Sequence, residues 1–151
     1  MKVGLIGLGR MGEGMSRRML KQGIEVYGYR RNVAKAQEAA TNGYITAAAD
    51  SLESLVQVVK SRKSIYGEKS GETVYVETPG IFQLVIPAEL VEDTLNELLP
   101  LLGDGDIIID HGNSNFKDSR RRAERLAKMG IQYIDCGTSG GVYGLERGYC
   151  L

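Results

Sequence analysis

The clearest chemical pattern lies in the first twelve residues, where Gly7, Gly9 and Gly12 directly follow an apolar run at residues 3–6. An apolar run that ends in glycines predicts a buried parallel strand that turns into a helix. Gly7 permits the tight turn, Gly9 lets a pyrophosphate approach the backbone, and Gly12 lets the helix lie close to its strand. N–H groups at the start of that helix attract anions. The pattern predicts dinucleotide binding, and a glycine turn that binds nothing is the alternative.

A pair of arginines follows the second predicted strand. Arg30 and Arg31 lie where a dinucleotide-binding domain normally carries an acidic residue for the ribose 2′-hydroxyl of NAD. No Asp or Glu occurs in residues 26–37, and Lys35 adds a third cation. Because guanidinium groups suit a phosphate, we predict NADP rather than NAD as the cofactor. A solvated arginine pair on a loop is the alternative.

Two further strand ends offer groups for a ligand. Ile86, Pro87 and Ala88 form a compact turn that could pass beneath a cofactor. Asn113 follows the next predicted strand, where its amide can donate and accept hydrogen bonds near a nicotinamide. His111 is the only histidine, and we interpret it as a wall or hydrogen-bond partner rather than a proton shuttle.

Small residues follow the last predicted strand. Residues 137–141 combine glycines with hydroxyl side chains, and their backbone N–H groups could form a concave anion seat. A flexible connector is the alternative. Arg120, Arg121 and Arg122 lie on the charged side of the preceding helix, and we interpret them as a solvated face.

Six apolar runs alternate with helical patterns and would position these groups. The predicted strands cover residues 3–6, 24–29, 44–46, 81–86, 106–110 and 131–135. Gly23, Gly43 and Gly130 stand where left-handed helix caps belong. Strands alternating with crossover helices predict an α/β fold with a doubly wound parallel sheet of the Rossmann type, six or more strands and helices on both faces. The carboxyl ends of such strands meet at the ligand site.

Three helical patterns carry more detailed expectations. Residues 33–41 are alanine-rich and predict the second helix. Asp50 and Glu53 have the spacing of a capping box before an apolar helical face of Leu52, Leu55, Val56 and Val59. The segment 116–129 places Phe116, Ala123, Leu126 and Ala127 on one side and its charges on the other.

One segment interrupts this alternation. Residues 61–80 carry three glycines and many polar side chains around a short alternating run at residues 73–77. We interpret the segment as an insertion, with a two-stranded flap around a loop at residues 67–71. A mobile surface loop is the alternative.

Composition limits the class of protein. The 151 residues carry 19 basic and 19 acidic side chains, so no global field favours nucleic acid or an anionic membrane. Cys136 and Cys150 are too few and too widely spaced for a disulfide framework or a zinc site, and no metal site is predicted. No apolar run approaches the length of a membrane span. We expect a cytoplasmic domain without nucleic-acid or membrane partners.

Two longer stretches carry a resemblance. Residues 107–115, IIIDHGNSN, and residues 138–151, TSGGVYGLERGYCL, make the chain similar to the N-terminal coenzyme domain of decarboxylating 6-phosphogluconate dehydrogenases, especially their shorter bacterial form. The glycine pattern alone fits the wider β-hydroxyacid dehydrogenase superfamily. The similarity covers residues 1–60 and 81–151. The chain departs from the family at residues 61–80, at His111, where the family usually has glycine, and at Arg30, where relatives have Asn or Asp.

The resemblance implies roles for individual residues. The pyrophosphate would contact Gly7, Leu8, Gly9, Arg10, Met11 and Gly12. The adenosine ribose and its phosphate would contact Arg30, Arg31 and Asn32, and the cofactor would also contact Ile86, Pro87 and Ala88. Asn113 would contact both cofactor and sugar acid, and the substrate 6-phosphogluconate would contact Ser139, Gly140 and Gly141.

The resemblance also implies a reaction, the oxidation of a secondary alcohol by hydride transfer followed by decarboxylation to ribulose 5-phosphate in the pentose phosphate pathway. The family's lysine base and glutamate acid lie in a helical second domain beyond residue 151, so we expect no catalytic residue in this chain, no turnover by it alone, and a homo-oligomer for a full-length form. The alternatives are a non-catalytic NAD(P)-binding or redox-sensing module and a dehydrogenase of a smaller 3-hydroxy acid.

Overall fold

The computed structural model describes residues 1–60, 62–66 and 73–151. Strands and helices alternate along most of the chain, with short 3₁₀ turns at Leu99–Leu101 and Gly141–Tyr143. The strands are β1 (Lys2–Ile6), β2 (Glu25–Tyr29), β3 (Ala47–Ala48), β4 (Arg62–Tyr66), β5 (Thr73–Glu77), β6 (Ile81–Leu84), β7 (Ile107–Asp110) and β8 (Gln132–Asp135). The helices are α1 (Arg10–Lys21), α2 (Val33–Thr41), α3 (Leu52–Val59), α4 (Ala88–Leu98), α5 (Phe116–Ala127) and α6 (Gly144–Arg147).

Six of the strands form one parallel sheet in the order β3-β2-β1-β6-β7-β8. Gly4 in β1 pairs with Tyr27 on one side and with Phe82 on the other. The strand order reverses between β1 and β6, which is where a doubly wound sheet opens a crevice for a ligand. The predicted doubly wound α/β fold is confirmed.

Apolar side chains form a core on each face of the sheet. Helices α1 and α2 cover one face, where Leu5 of β1 and Val26 of β2 form an apolar cluster with Ala36 of α2. Helices α3, α4 and α5 cover the other face, where Phe82 and Leu95 are fully buried. None of the described helices has both the length and the apolar character needed to cross a membrane.

Two local expectations were wrong by a few residues. The third strand lies at Ala47–Ala48 rather than at residues 44–46. The capping box is formed by Ser51 and Ser54, which exchange hydrogen bonds of 3.0 and 3.2 Å with each other's backbone N–H, rather than by Asp50 and Glu53. The Ser51 backbone is extended, so this residue, one later than predicted, caps α3.

The prediction of which residues form the buried face of α5 was also wrong in part. Phe116 is 63% exposed, and the buried residues are Ser119, Arg122 and Leu126. These three positions are spaced by three and four, so they share one face of the helix. Hydropathy alone misplaced that face because a buried arginine was not expected.

The segment 61–80 contains the predicted pair of strands. Strands β4 and β5 pair antiparallel, whereas the predicted loop at residues 67–71 lies outside the described residues. Beside the strands, Lys60 Nζ donates to Asp106 Oδ2 at 3.0 Å, and Gly80 N donates to Asp106 Oδ1 at 2.7 Å. These contacts lie at the amino ends of β6 and β7. The hairpin forms a separate two-stranded sheet and is inserted on the side of the parallel sheet where these strands begin, opposite to the predicted ligand site.

Candidate functional site

The glycine turn lies at the carboxyl end of β1. Gly7 has φ +104° and donates its N–H to the carbonyl of Tyr29 at 2.9 Å, which ties the turn to the end of β2. A Cβ on Gly12 would stand 2.0 Å from the Gly7 oxygen. Both positions therefore require glycine for backbone reasons, as the spacing predicted.

Space for an anion opens at Gly9. This residue caps α1 without a side-chain hydrogen bond, and a Cβ there would meet nothing within 4 Å. The first intrahelical bond runs from Glu13 N to Gly9 O, so the amides of Arg10, Met11 and Gly12 precede it. The helix dipole adds positive charge at the same point. A phosphate group fits this cradle.

Arg30 is attached to the glycine turn. Its Nη1 donates to the carbonyl of Leu8 at 2.9 Å, and the Leu8 side chain is buried in the core, so the predicted ligand contact of Leu8 would involve its backbone alone. Arg30 and the exposed Arg31 line a cavity of about 120 Å³ together with Gly7 and Ile86. Residues predicted from the ends of β1, β2 and β6 therefore share one cavity. Its other walls are Ile6, Tyr29, Leu52, Leu90, Thr94 and Glu97.

A second cavity of about 180 Å³ lies on the other side of Arg30. Lys35 borders it, as do two carboxylates, Glu13 from α1 and Glu38 from α2. Sequence reasoning missed Glu13, because it lies far from residues 26–37 along the chain. The cationic surroundings expected for a 2′-phosphate are thus partly offset by nearby acids.

The other cofactor-binding residues predicted after β2 and β6 lie where helices α2 and α4 begin. Asn32 caps α2, and its Oδ1 accepts from the N–H of Lys35 at 3.2 Å. Pro87 occupies the capping position of α4, and Ala88 is the first helical residue. The turn at Ile86 thus leads directly from β6 into α4 at the cavity wall.

The Asn113 side chain holds two loops together. Its Oδ1 accepts from Thr138 N at 2.9 Å, and its Nδ2 donates to Thr138 O at 3.1 Å. Asn113 also has φ +53°, the only positive φ outside glycine among the described residues. The predicted contact of Asn113 with a ligand would therefore come from a side chain that is already oriented by Thr138.

Asp110 organises the loop after β7 and is fully buried. Its Oδ1 accepts from Gly112 N at 2.8 Å, and its Oδ2 accepts from Ser114 Oγ at 2.7 Å and from the Tyr133 phenol at 2.5 Å. Burial, and then the bond to the Asp110 carboxylate, raise the pKa of Tyr133. The phenol therefore remains a donor at neutral pH.

Arg122 contradicts the expectation of a solvated arginine face. It is 5% exposed, lies 3.5 Å from Asp110 Oδ2, and donates to Ser114 Oγ and Glu92 Oε2 at 3.0 Å each. Burial tends to raise the pKa of Glu92, but the bond from Arg122 and the charges of three arginines lower it overall. Arg122 is buried because these acids on α4 and β7 compensate its charge. Arg120 and Arg121 are exposed, as predicted.

His111 is buried beside Thr138. The Thr138 hydroxyl donates to Cys136 O at 2.9 Å, so it accepts from His111 Nδ1 at 2.8 Å, which assigns the proton of the neutral ring to Nδ1. His111 Nε2 is buried and has no hydrogen-bond partner within the described part of the chain. Burial lowers the pKa of His111, and the negative charge of Asp110 opposes this shift.

The anion seat predicted at residues 137–141 has fewer free backbone N–H groups than expected. The amide of Thr138 bonds to Asn113, and the amide of Ser139 donates to Cys150 O at 3.0 Å. Gly140 and Gly141 adopt φ +146° and +48°. An anion seat here would therefore depend on the Ser139 hydroxyl and the backbone of the two glycines.

Three residues of the site were missed from the sequence: Asp110, Arg122 and Tyr133. A buried acid at a strand end is a signal that could have been used for Asp110. The other two are recognised through partners distant in sequence. Local patterns carried no signal for them.

The reversed strand order and the glycine turn at the switch point define a dinucleotide-binding domain of the dehydrogenase type. A family profile described as the NAD binding domain of 6-phosphogluconate dehydrogenase matches residues 2–151. The chain belongs to this family.

Individual relatives support this family assignment. The decarboxylating 6-phosphogluconate dehydrogenase of Drosophila simulans is 36% identical over 152 residues, which cover 99% of this chain and 28% of that protein. The NAD(+)-dependent decarboxylating enzyme of Haloferax volcanii is 37% identical, covering 100% of this chain and 44% of that protein. The structure of Plasmodium falciparum 6-phosphogluconate dehydrogenase superposes with a TM-score of 0.77 at 24% identity, covering 99% of this chain and 29% of that one. This chain spans less than half the length of each relative.

Proposed function

We propose that this chain binds NADP across the carboxyl ends of β1, β2 and β6. The pyrophosphate would lie on the first turn of α1 at Gly9, where a Cβ would meet nothing within 4 Å. The adenosine would enter the cavity beside Ile86, and its 2′-phosphate would meet Arg30 and Arg31. The convergence of residues from three strand ends on this one cavity carries the proposal.

We propose 6-phosphogluconate as the substrate and its oxidative decarboxylation as the reaction of the whole protein. When bound, the nicotinamide supplies the hydride acceptor. Asn113 would meet both ligands, held in place by its two bonds to Thr138. Ser139, Gly140 and Gly141 would form one wall of the sugar-acid site. We assign no catalytic acid or base to this chain.

The cofactor choice follows from charge. The relative from Haloferax volcanii is named NAD(+)-dependent, so the preference has to be argued from residues. Arg30 and Arg31 provide forked donors, and charge-assisted bonds to a partly exposed phosphate are worth about 1.5–3 kcal/mol, or about ten- to a hundredfold in affinity. Glu13 and Glu38 line the neighbouring cavity with Arg30, and their negative charges partly offset its positive charge. We therefore expect an affinity gain at the lower end of this range.

Calorimetric titration of the chain with NADP and NAD at two salt concentrations tests the proposal. We expect tighter binding of NADP and a preference that shrinks with salt, since exposed charges are screened over about 8–10 Å at physiological ionic strength. Arg30→Asp should reverse the preference. Absence of binding by either cofactor would contradict the coenzyme site, whereas equal affinity would contradict only the roles of the two arginines.

A further inference from the structure

Tyr149 lies in a groove made by three glycines from three segments. A Cβ on Gly14 would stand 2.1 Å from the Tyr149 hydroxyl, one on Gly144 would stand 2.2 Å from Cε1, and one on Gly140 would stand 2.8 Å from Cδ1. All three distances are too short for a real Cβ contact, so a side chain at any of these positions would displace the ring. Gly14 lies inside α1, where glycine costs about 1 kcal/mol relative to alanine. The close approach of Tyr149 gives a physical reason for that glycine.

The same ring connects the two halves of the proposed site. Gly14 lies one turn beyond the first turn of α1, and the Tyr149 hydroxyl lies 3.5 Å from the carbonyl of Met11 in that first turn. On its other side the ring packs against Gly140, a residue of the proposed substrate wall. Tyr149 therefore contacts both the phosphate-binding helix and the substrate loop.

The backbone next to Tyr149 strengthens this connection. Cys150 and Ser139 exchange two hydrogen bonds, from Ser139 N to Cys150 O at 3.0 Å and from Cys150 N to Ser139 O at 2.9 Å. Arg18 on α1 also donates to Leu145 O at 3.0 Å. A displacement of the Tyr149 ring would thus be passed directly to Ser139.

We propose that Tyr149 is a positioning residue that links the first turn of α1 to the loop Ser139, Gly140 and Gly141. An anion that binds the first turn then orders the loop, and by thermodynamic reciprocity an ordered loop favours the anion. The inference rests on the proposed coenzyme site. It adds that the coenzyme and substrate regions of this chain are energetically coupled through one aromatic ring.

Amide NMR spectra of the full chain titrated with 2′,5′-ADP test the inference. This ligand carries the adenosine end and a 5′-phosphate but no nicotinamide, so it reaches the first turn of α1 without a nicotinamide to touch the loop. We expect shifts at the amides of residues 7–12 and also at Gly140 and Gly141. Tyr149→Leu should abolish the loop shifts, while the shifts at residues 7–12 persist at a saturating concentration of 2′,5′-ADP. Tyr149→Phe loses the hydroxyl contact with Met11 O but keeps the ring packed against Gly140 and Gly144, so it should reduce the loop shifts without abolishing them.

Two further variants complete the design. Gly14→Ala crowds the ring from the helix side and should also abolish the loop shifts, which keeps the test decisive if Tyr149→Leu fails to fold. Tyr143→Leu changes an exposed tyrosine of the same segment and should leave the response intact. Shifts at residues 7–12 without a loop response in the unaltered chain, or a loop response that persists in folded Tyr149→Leu or Gly14→Ala, would overturn the inference. Absence of shifts at residues 7–12 would instead contradict the proposed coenzyme site.

Discussion

The Asn113 side chain and the Thr138 backbone exchange two hydrogen bonds, of 2.9 and 3.1 Å, across the loops that follow β7 and β8. These bonds hold the amide that we propose as a ligand contact in a backbone conformation that most residues avoid. Under this proposal the pair serves both stability and ligand geometry, and the two contributions can be separated by mutation.

Asn113→Gly removes both bonds but tolerates the φ of +53°, whereas Asn113→Ala also strains the backbone. We expect Asn113→Gly to lower the free energy of unfolding by about 1–3 kcal/mol and Asn113→Ala by about a further 1 kcal/mol. Both should weaken NADP binding while leaving 2′,5′-ADP binding unchanged, because the proposed adenosine end lies at Arg30, away from Asn113. Urea unfolding and calorimetry measure these effects. Unaltered NADP affinity in both variants would remove Asn113 from the site.

Tyr133→Phe deletes one donor to the buried Asp110 carboxylate. A hydrogen bond to a charged group is worth about 1.5–3 kcal/mol, and we expect the free energy of unfolding to fall by that amount. Tyr143→Phe is the matched control, since its side chain is exposed and should change stability by less than about 0.5 kcal/mol. Equal stabilities of the two variants in urea would show that Asp110 does not depend on the phenol.

Alanine substitutions separate the two kinds of glycine in the turn. Gly9→Ala enters open space and should cost about 1 kcal/mol or less at the helix cap, yet raise the Kd for NADP at least about tenfold by obstructing the phosphate. Gly12→Ala would place its Cβ 2.0 Å from a carbonyl oxygen and should lower stability by about 1–3 kcal/mol or more. Normal NADP affinity in Gly9→Ala would disprove the placement of the pyrophosphate.

Arg30 and Arg31 should respond differently to truncation. Arg31→Ala removes an exposed cation and should weaken NADP about tenfold while leaving NAD binding unchanged. Arg30→Ala also removes the bond to Leu8 O, so it should weaken both cofactors. Titrations of each variant with each cofactor give the comparison. A selective loss of NADP in Arg30→Ala would mean that the bond to Leu8 does not support the glycine turn.

His111 predicts a pH dependence of stability. Burial lowers its pKa in the folded chain, so the unfolded chain takes up this proton first as the pH falls. The contribution of His111 to stability is therefore complete above the unfolded pKa of about 6.5 and is lost as the pH falls through the folded value, with a slope of at most about 1.4 kcal/mol per pH unit. Because His111 is the only histidine, the difference between the chain and His111→Asn in urea unfolding at several pH values isolates it. A constant difference from pH 7.5 to 5.5 would contradict the expectation.

Features that depend on neighbours along the chain were predictable. Gly23, Gly43 and Gly130 have φ of +74°, +70° and +73°, because each ends a helix in a left-handed conformation that glycine adopts without strain. Helix α2 covers residues 33–41, as its alanine content indicated. The predicted apolar face of α3 is buried. Periodicity and helix caps involve contacts a few residues apart, which a single sequence records directly.

Arg122 and Phe116 show where such reasoning stopped. Helical periodicity placed the apolar Phe116 inside and the charged Arg122 outside, and the structure has them reversed. The arginine is buried because the carboxylates of Glu92 and Asp110 compensate its positive charge, and these acids lie on other elements. No local pattern specifies a compensating charge 12 or 30 residues away in sequence.

The sequence by itself determined that glycines and polar side chains would gather at the carboxyl ends of parallel strands, because the alternation of strands and helices and the turn chemistry follow from local pattern. Only the tertiary structure decided which of those polar groups still face a ligand. Asn113, Thr138 and Arg30 each use donors or acceptors within the chain, whereas the cradle at Gly9 stays open. The reason is physical. A hydrogen bond consumes a directional group at a definite distance, and its partner becomes known only when segments 20 or more residues apart are brought together.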